Sequence, residues 1–108
     1  MNFEITYHEL VVKLDIPRLS PEVRKRIKHA IETRLITHPN LYGKPLRKSL
    51  KNYRKLRVGD YRVIFRIEKN IVKIFIIAHR SFVYSLQEFN VIRRPSLAGR
   101  SRKKNRRN

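Results

Sequence analysis

From Tyr53 to His79 apolar and polar residues alternate with a period of two. In 53–58, Leu56 and Val58 fall on one side and Tyr53, Lys55 and Arg57 on the other; in 60–67, Tyr61, Val63, Phe65 and Ile67 oppose Arg62, Ile64 and Arg66. Successive strand side chains point to opposite faces, so both runs predict half-buried strands. The third run, 71–79 (IVKIFIIAH), is apolar on both faces and predicts a central strand. Gly59-Asp60 and Glu68-Lys69-Asn70 separate the runs as turns, which makes the three an antiparallel meander.

Upstream the period lengthens. After a short alternating segment at 2–6 (NFEIT), residues 8–15 place Leu10, Val11 and Leu14 at helical spacing, and Pro17 is expected to end that helix. Ser20-Pro21-Glu22 is a stronger start signal, since serine caps free amides, proline suits the first helical position and the acid complements the positive helix end. Val23, Ile27, Ala30, Ile31 and Leu35 then form one apolar stripe, which predicts an amphipathic helix over 21–36. His38-Pro39 stops it, a turn-rich basic connector follows, and SLQEFNVI (85–92) predicts a last short helix. The expected fold class is α+β: a small antiparallel, mixed-edge sheet of about four strands, two helices packed on one face, and a short C-terminal helix. Two helices cover only one face, leaving the other to the cationic residues. Burying several arginines without counter-charges is costly, and only Asp60 and Glu68 lie nearby in sequence, so an exposed concave face that receives phosphates is expected.

Charge sharpens this picture. The 108 residues suit one domain, too small for a multidomain enzyme, and 27 Lys and Arg against 8 Asp and Glu give a formal charge of +19. Such a field attracts polyanions, with nucleic acid the default partner. Residues 91–108 hold eight basic residues and no acidic one, so 1–90 is read as the folded domain and 91–108 as a basic, flexible tail. Without cysteine there is no disulfide framework and no thiolate metal site. The start, MNFEITYHEL, lacks a signal peptide's pattern, and the longest apolar stretch, IFIIA at 74–78, is too short to span a bilayer. The expectation is a soluble cytoplasmic protein with no membrane partner.

AHRSFVY (78–84) puts His79, Arg80 and Tyr84 at the end of the third strand. YRKLRVGDYRVIF followed by a short turn, an apolar strand and HRSFVY resembles the RelE/ParE superfamily of type II toxin-antitoxin toxins, over roughly residues 19–85. The resemblance implies a RelE-like sheet with two helices on one face and a ribosome-dependent endoribonuclease that cuts messenger RNA in the decoding site. It also implies a cognate antitoxin, contacts to 16S-type ribosomal RNA, and no cofactor or metal. Matching positions are Lys55, Arg57, Arg62, Arg80 and Tyr84. The sequence departs from the RelE pattern of two alternating lysines on the first hairpin strand: the segment is one residue shorter, and Arg54 is the nearest equivalent of the earlier lysine. The spacing from Arg80 to Tyr84 is also tighter.

These residue types fit the chemistry. Metal-free RNA cleavage has the 2′-hydroxyl attack the adjacent phosphorus, so the protein must align that oxygen, stabilise added negative charge and move two protons. Arginine stays protonated and its planar fork pairs with two phosphate oxygens, which assigns Arg62 and Arg80 to the scissile phosphate. Tyrosine and lysine titrate near ~10 and ~10.4 in model compounds, so either needs a lowered pKa to act as a base at neutral pH; neighbouring cations push that way. Tyr84 is thus a candidate base, with Lys55 stabilising charge or assisting with the proton, and His79 a competing proton carrier. Arg54, Arg57, Lys51, Lys48 and Arg66 form the wider phosphate-binding set.

Each assignment has a structural rival. His79 before Arg80 suits a hydrogen bond that holds the C-terminal segment, Tyr84 suits an aromatic packed on the sheet at a helix start, and Lys55 and Arg57 suit a solvated strand face. His8, His29 and His38 have no metal-ligand spacing and read as structural or surface residues. The tail is either an added grip on ribosomal RNA or a solubilising extension. Two other functions stay open: a ParE-like DNA gyrase inhibitor without nuclease activity, and a plain RNA-binding module. The second explains the charge but not Arg80 and Tyr84 at a strand end.

Overall fold

A computed structural model of the chain describes residues 2–46, 50–88 and 92–93. Strands β1 (Glu4–Tyr7), β2 (Lys44–Pro45), β3 (Arg54–Val58), β4 (Tyr61–Glu68) and β5 (Ile71–His79) form one sheet in the order β1-β5-β4-β3-β2. The β3-β4-β5 meander is antiparallel, as the alternation predicts, and β1 joins β5 in parallel. That leaves β5 interior, in keeping with its apolar residues on both faces. There are five strands where about four were expected. The extra one, β2, is two residues long and so has no period to read; Pro45 lacks an N–H and is tolerated because β2 is an edge.

The helices from the first half of the chain lie on one face. A π-helical turn (Val11–Asp15) runs into α1 (Ile16–Arg18), so the helix continues past Pro17 instead of ending there. The wide turn lets Pro17 fall in the first positions of a fresh α-turn, where its missing N–H matters little. α2 (Pro21–Ala30) begins as predicted: the Ser20 side chain accepts from the Val23 amide at 3.2 Å, and a second π-helical turn (Ile31–Leu35) prolongs the helix. Its stripe of Ile27, Ala30, Ile31 and Leu35 packs with Val11 and Leu19 against Leu56, Val63, Phe65, Val72, Ile74 and Ile77 of the sheet. After the short α3 (Pro39–Tyr42), Gly43 lies so close to Phe65 that a Cβ there would clash with two of the ring's carbons.

The opposite face is not left to cations alone. Leu46, Leu50, Ile64, Phe75, Ile76 and Val83 form a second, smaller core, with Tyr53, Ala78 and Ile92 packed against it. A β-bulge feeds it: Ile64 pairs with Ile76 and Phe65 with Ile74, so Phe75 is the extra residue and both Phe75 and Ile76 turn to this side. Val83 comes from α4 (Arg80–Glu88), which starts five residues earlier than SLQEFNVI suggested. Phe82, Val83 and Tyr84 have strand propensity, and what converts them to helix is a cap described below.

Where β1 ends, one edge of β5 would be bare. Asp15, 5% exposed, fills this place: its Oδ2 accepts from the Ile77 amide at 2.9 Å, and both its oxygens accept from Arg93 at 2.8 Å. Arg93 Nη1 also donates to the Phe75 carbonyl at 3.1 Å, so residue 93, from the segment read as tail, is bound to the domain. Removing one partner of a buried pair strands the other, so Arg93→Ala is expected to cost about 3 kcal/mol of unfolding free energy in urea titration. Gly43→Ala is expected to cost about 1–3 kcal/mol in the same measurement, because Phe65 has no room to retreat.

Candidate active site

The turn between β3 and β4 sets the site. Gly59 has φ of 60°, a left-handed conformation that glycine adopts without strain, and the turn brings Arg57 on β3 directly opposite Arg62 on β4. Like charges opposed across a sheet repel, and Arg80 adds a third cation nearby. Burial first, then Arg57 and Arg80, lower the Arg62 pKa from its ordinary value, and Asp60 acts in the other direction. The guanidinium is held by backbone oxygens: Arg62 Nη1 donates to the Gly59 carbonyl at 2.9 Å and the Tyr61 carbonyl at 2.8 Å. Among the described residues these carbonyls engage one nitrogen only, which leaves the edge formed by Nε and Nη2 to meet an anion.

Asp60 links this turn to α4. Its carbonyl accepts from the Arg80 amide at 2.8 Å, and its carboxylate lies 3.9 Å from Arg80 Nε. Both side chains are largely exposed, so the ion pair is weak and orients Arg80 more than it neutralises it. His79 caps the helix: Nδ1 accepts from the Ser81 amide at 3.2 Å, with Ser81 Oγ 3.0 Å away, while the ring meets Tyr61 edge-on at 5.7 Å between centroids. With Nδ1 acting as acceptor, the neutral imidazole carries its proton on Nε2. This cap starts α4 at Arg80 and places Tyr84 one turn later on the same side. Tyr84 is 66% exposed.

Lys55, Arg62, His79, Arg80 and Tyr84 therefore converge, lining one cavity of about 640 Å³ with Val83 among its walls. Arg57 sits beside it, exposed, opposite Arg62. The remaining described residues of the wider phosphate-binding set lie elsewhere. Arg54 is bound to the main chain, Nη1 donating to the Gly43 carbonyl at 2.9 Å. Arg66 stacks over Tyr53 and Phe75 and pairs with Glu68, whose carboxyl is held below its usual range by hydrogen bonds to Lys73 and then Arg66. Lys51 is exposed in the turn before β3, and Lys48 lies outside the described residues. Sequence reasoning missed the work of Asp60 and Ser81; a Gly-Asp turn and a Ser two residues after a strand end are the only local signals of it.

Three comparisons bear on this arrangement. Residues 12–84 match the family model described as the ParE toxin of type II toxin-antitoxin system, parDE. A Toxin RelE of Mycobacterium tuberculosis is 34% identical over 74 residues, covering 67% of this chain and 76% of that protein. Among solved structures, the toxin-antitoxin complex RelBE2 from Mycobacterium tuberculosis contains a chain that is similar with a TM-score of 0.69 and 26% identity, over 74% of this chain and 100% of that one. A chain of the RelB-RelE antitoxin-toxin complex from Methanococcus jannaschii gives 0.58 and 26%, over 73% and 94%. A family model that spans most of the folded residues, together with these relatives, settles the family: the chain belongs to the ParE toxin family of type II toxin-antitoxin systems, as a RelE-like toxin.

Proposed function

We propose that this toxin is a metal-independent endoribonuclease that cuts messenger RNA bound to the ribosome in the cytoplasm. The observation that carries the reading is the convergence of Lys55, Arg62, Arg80 and Tyr84 on one cavity, with Arg57 opposed to Arg62. A cation cluster with so little acid is stabilised by an anion, and a phosphodiester supplies one with two non-bridging oxygens.

In the proposed reaction the 2′-oxygen attacks phosphorus, the bond from phosphorus to the 5′-oxygen breaks, and a 2′,3′-cyclic phosphate and a 5′-hydroxyl result. The free edge of Arg62 and the guanidinium of Arg80 hold the non-bridging oxygens and stabilise the charge that builds up there. Tyr84 takes the proton from the 2′-hydroxyl, and Lys55 stabilises the phosphorane or protonates the departing oxygen. His79 remains the alternative proton carrier through Nε2, because Nδ1 is engaged by Ser81. Relatives solved with their antitoxins support a cognate antitoxin as the protein partner, and the basic tail is proposed to add affinity for 16S-type ribosomal RNA that fades with salt.

A ParE-like gyrase inhibitor is the second reading, favoured by the description of the matching family model. The two part on one experiment: primer extension on transcripts after induction, with a supercoiling assay alongside. Cuts within translated codons support the nuclease; intact transcripts with inhibited supercoiling support the second reading. Arg62→Ala or Arg80→Ala is expected to abolish growth arrest and lower cleavage by about 10²–10³ with an unchanged circular dichroism spectrum, and normal cleavage by both would remove the mechanism. Tyr84→Phe is expected to slow cleavage by about 10²–10⁴ while binding to the ribosome stays as it was. An unchanged rate in that variant, with loss in His79→Gln, would transfer the proton to the histidine.

A further inference from the structure

Around the end of β5 lies a second cleft, of about 290 Å³, that the proposed chemistry does not use. Its walls include Asp15 just before α1 and Arg18 at its end, Tyr61, Ile77 and His79 on the sheet, and Phe82 on α4. His79 lines this cleft and the phosphate cavity alike, so the two adjoin across a single imidazole. Phe82 is 50% exposed, an unusual position for so large an apolar ring on a highly charged protein. The adjacent His79 and Tyr61 rings meet edge to face, at 83° and 5.7 Å between centroids, and both line the cleft. Arg18 is an exposed cation at the mouth. Asp15, the one acid among the described residues lining the cleft, has its charge offset by Arg93 and does not repel an anionic chain.

We infer that this cleft is a nucleobase subsite, in which the base of a nucleotide flanking the scissile phosphate stacks on Phe82 while Arg18 faces its sugar-phosphate backbone. The inference rests on the nuclease reading for its substrate but on separate residues for its geometry. Aromatic side chains next to a cationic groove are the usual platform for unpaired bases, and stacking tolerates any base while favouring those of larger area. A single-stranded RNA suits the site better than an acidic peptide: the occupant must be flat and apolar where it meets Phe82, yet reach across His79 to a phosphate held by Arg62 and Arg80. The subsite would give the toxin a sequence preference at one position adjoining the cut, with purines favoured.

The test uses the full chain, aromatic and guanidinium NMR resonances, and two probes: nucleoside 5′-monophosphates and ribose 5-phosphate. Both are expected to shift Arg62 and Arg80, but only the nucleotides should move Phe82 and Tyr61 upfield through ring currents, adenosine and guanosine monophosphate most. Phe82→Leu is expected to weaken nucleotide binding about tenfold without changing that of ribose 5-phosphate, and Phe82→Trp to retain it. Equal affinities for the two probes, or a Phe82→Leu variant that binds nucleotides as the parent does, would overturn the subsite. Intact transcripts in cells together with nucleotide shifts at Phe82 would instead remove the nuclease and leave the subsite standing.

Discussion

Like-charged guanidinium groups gather only where something fixed holds them against their mutual repulsion, and here that is the Gly59-Asp60 turn. Its carbonyls, and the one that follows, take a nitrogen of Arg62 and the amide of Arg80. Neutral backbone dipoles thus orient the Arg62 guanidinium without cancelling its charge, and fix the main chain from which Arg80 projects. The contrast with Arg66 is instructive, since that residue lies on the same strand but is paired with Glu68 and stacked on two rings, which leaves it little to offer a ligand. Two arginines, four residues apart, thus differ in how much of their charge stays open to an anion, because one is held by dipoles and the other by an ion.

The second support is the joint between β5 and α4. His79 ends a strand and caps a helix in the same position, so Arg80 and Tyr84 project from a rigid helix and not from a loop. Below it Val83 is buried in the second core, and beyond it Arg93 returns to Asp15, so α4 is fixed at its start, its middle and past its end. A site built this way is preorganised: little conformational entropy remains to be lost when a ligand binds.

Much of this was legible in the chain. Strict alternation in 53–67 told which arginines share a face, because side-chain parity in a strand follows directly from position. The stripe from Val23 to Leu35 likewise told where the helix face lies. Other features were hidden for identifiable reasons. Asp15 and Arg93 meet across 78 positions, and no local pattern records a pairing between elements so far apart. The start of α4 was missed because FVY favours strands, and a hydrogen bond from an imidazole overrides that preference. The open concave face was overstated because two helices were counted as the only cover, whereas the connector and α4 supply a second, thinner one.

The bulge in β5 has a consequence for how such chains compare with one another. Because Phe75 and Ile76 point the same way, the insertion advances the strand by one residue without exchanging inside for outside: Ile74 before it and Ile77 after it still look toward the helices. A relative without the extra residue would keep every other contact in phase and lose one aromatic surface, the one on which Tyr53 and Arg66 rest. Length differences of a single residue at this point are therefore silent for the architecture, while the same change two positions either side would turn the strand inside out.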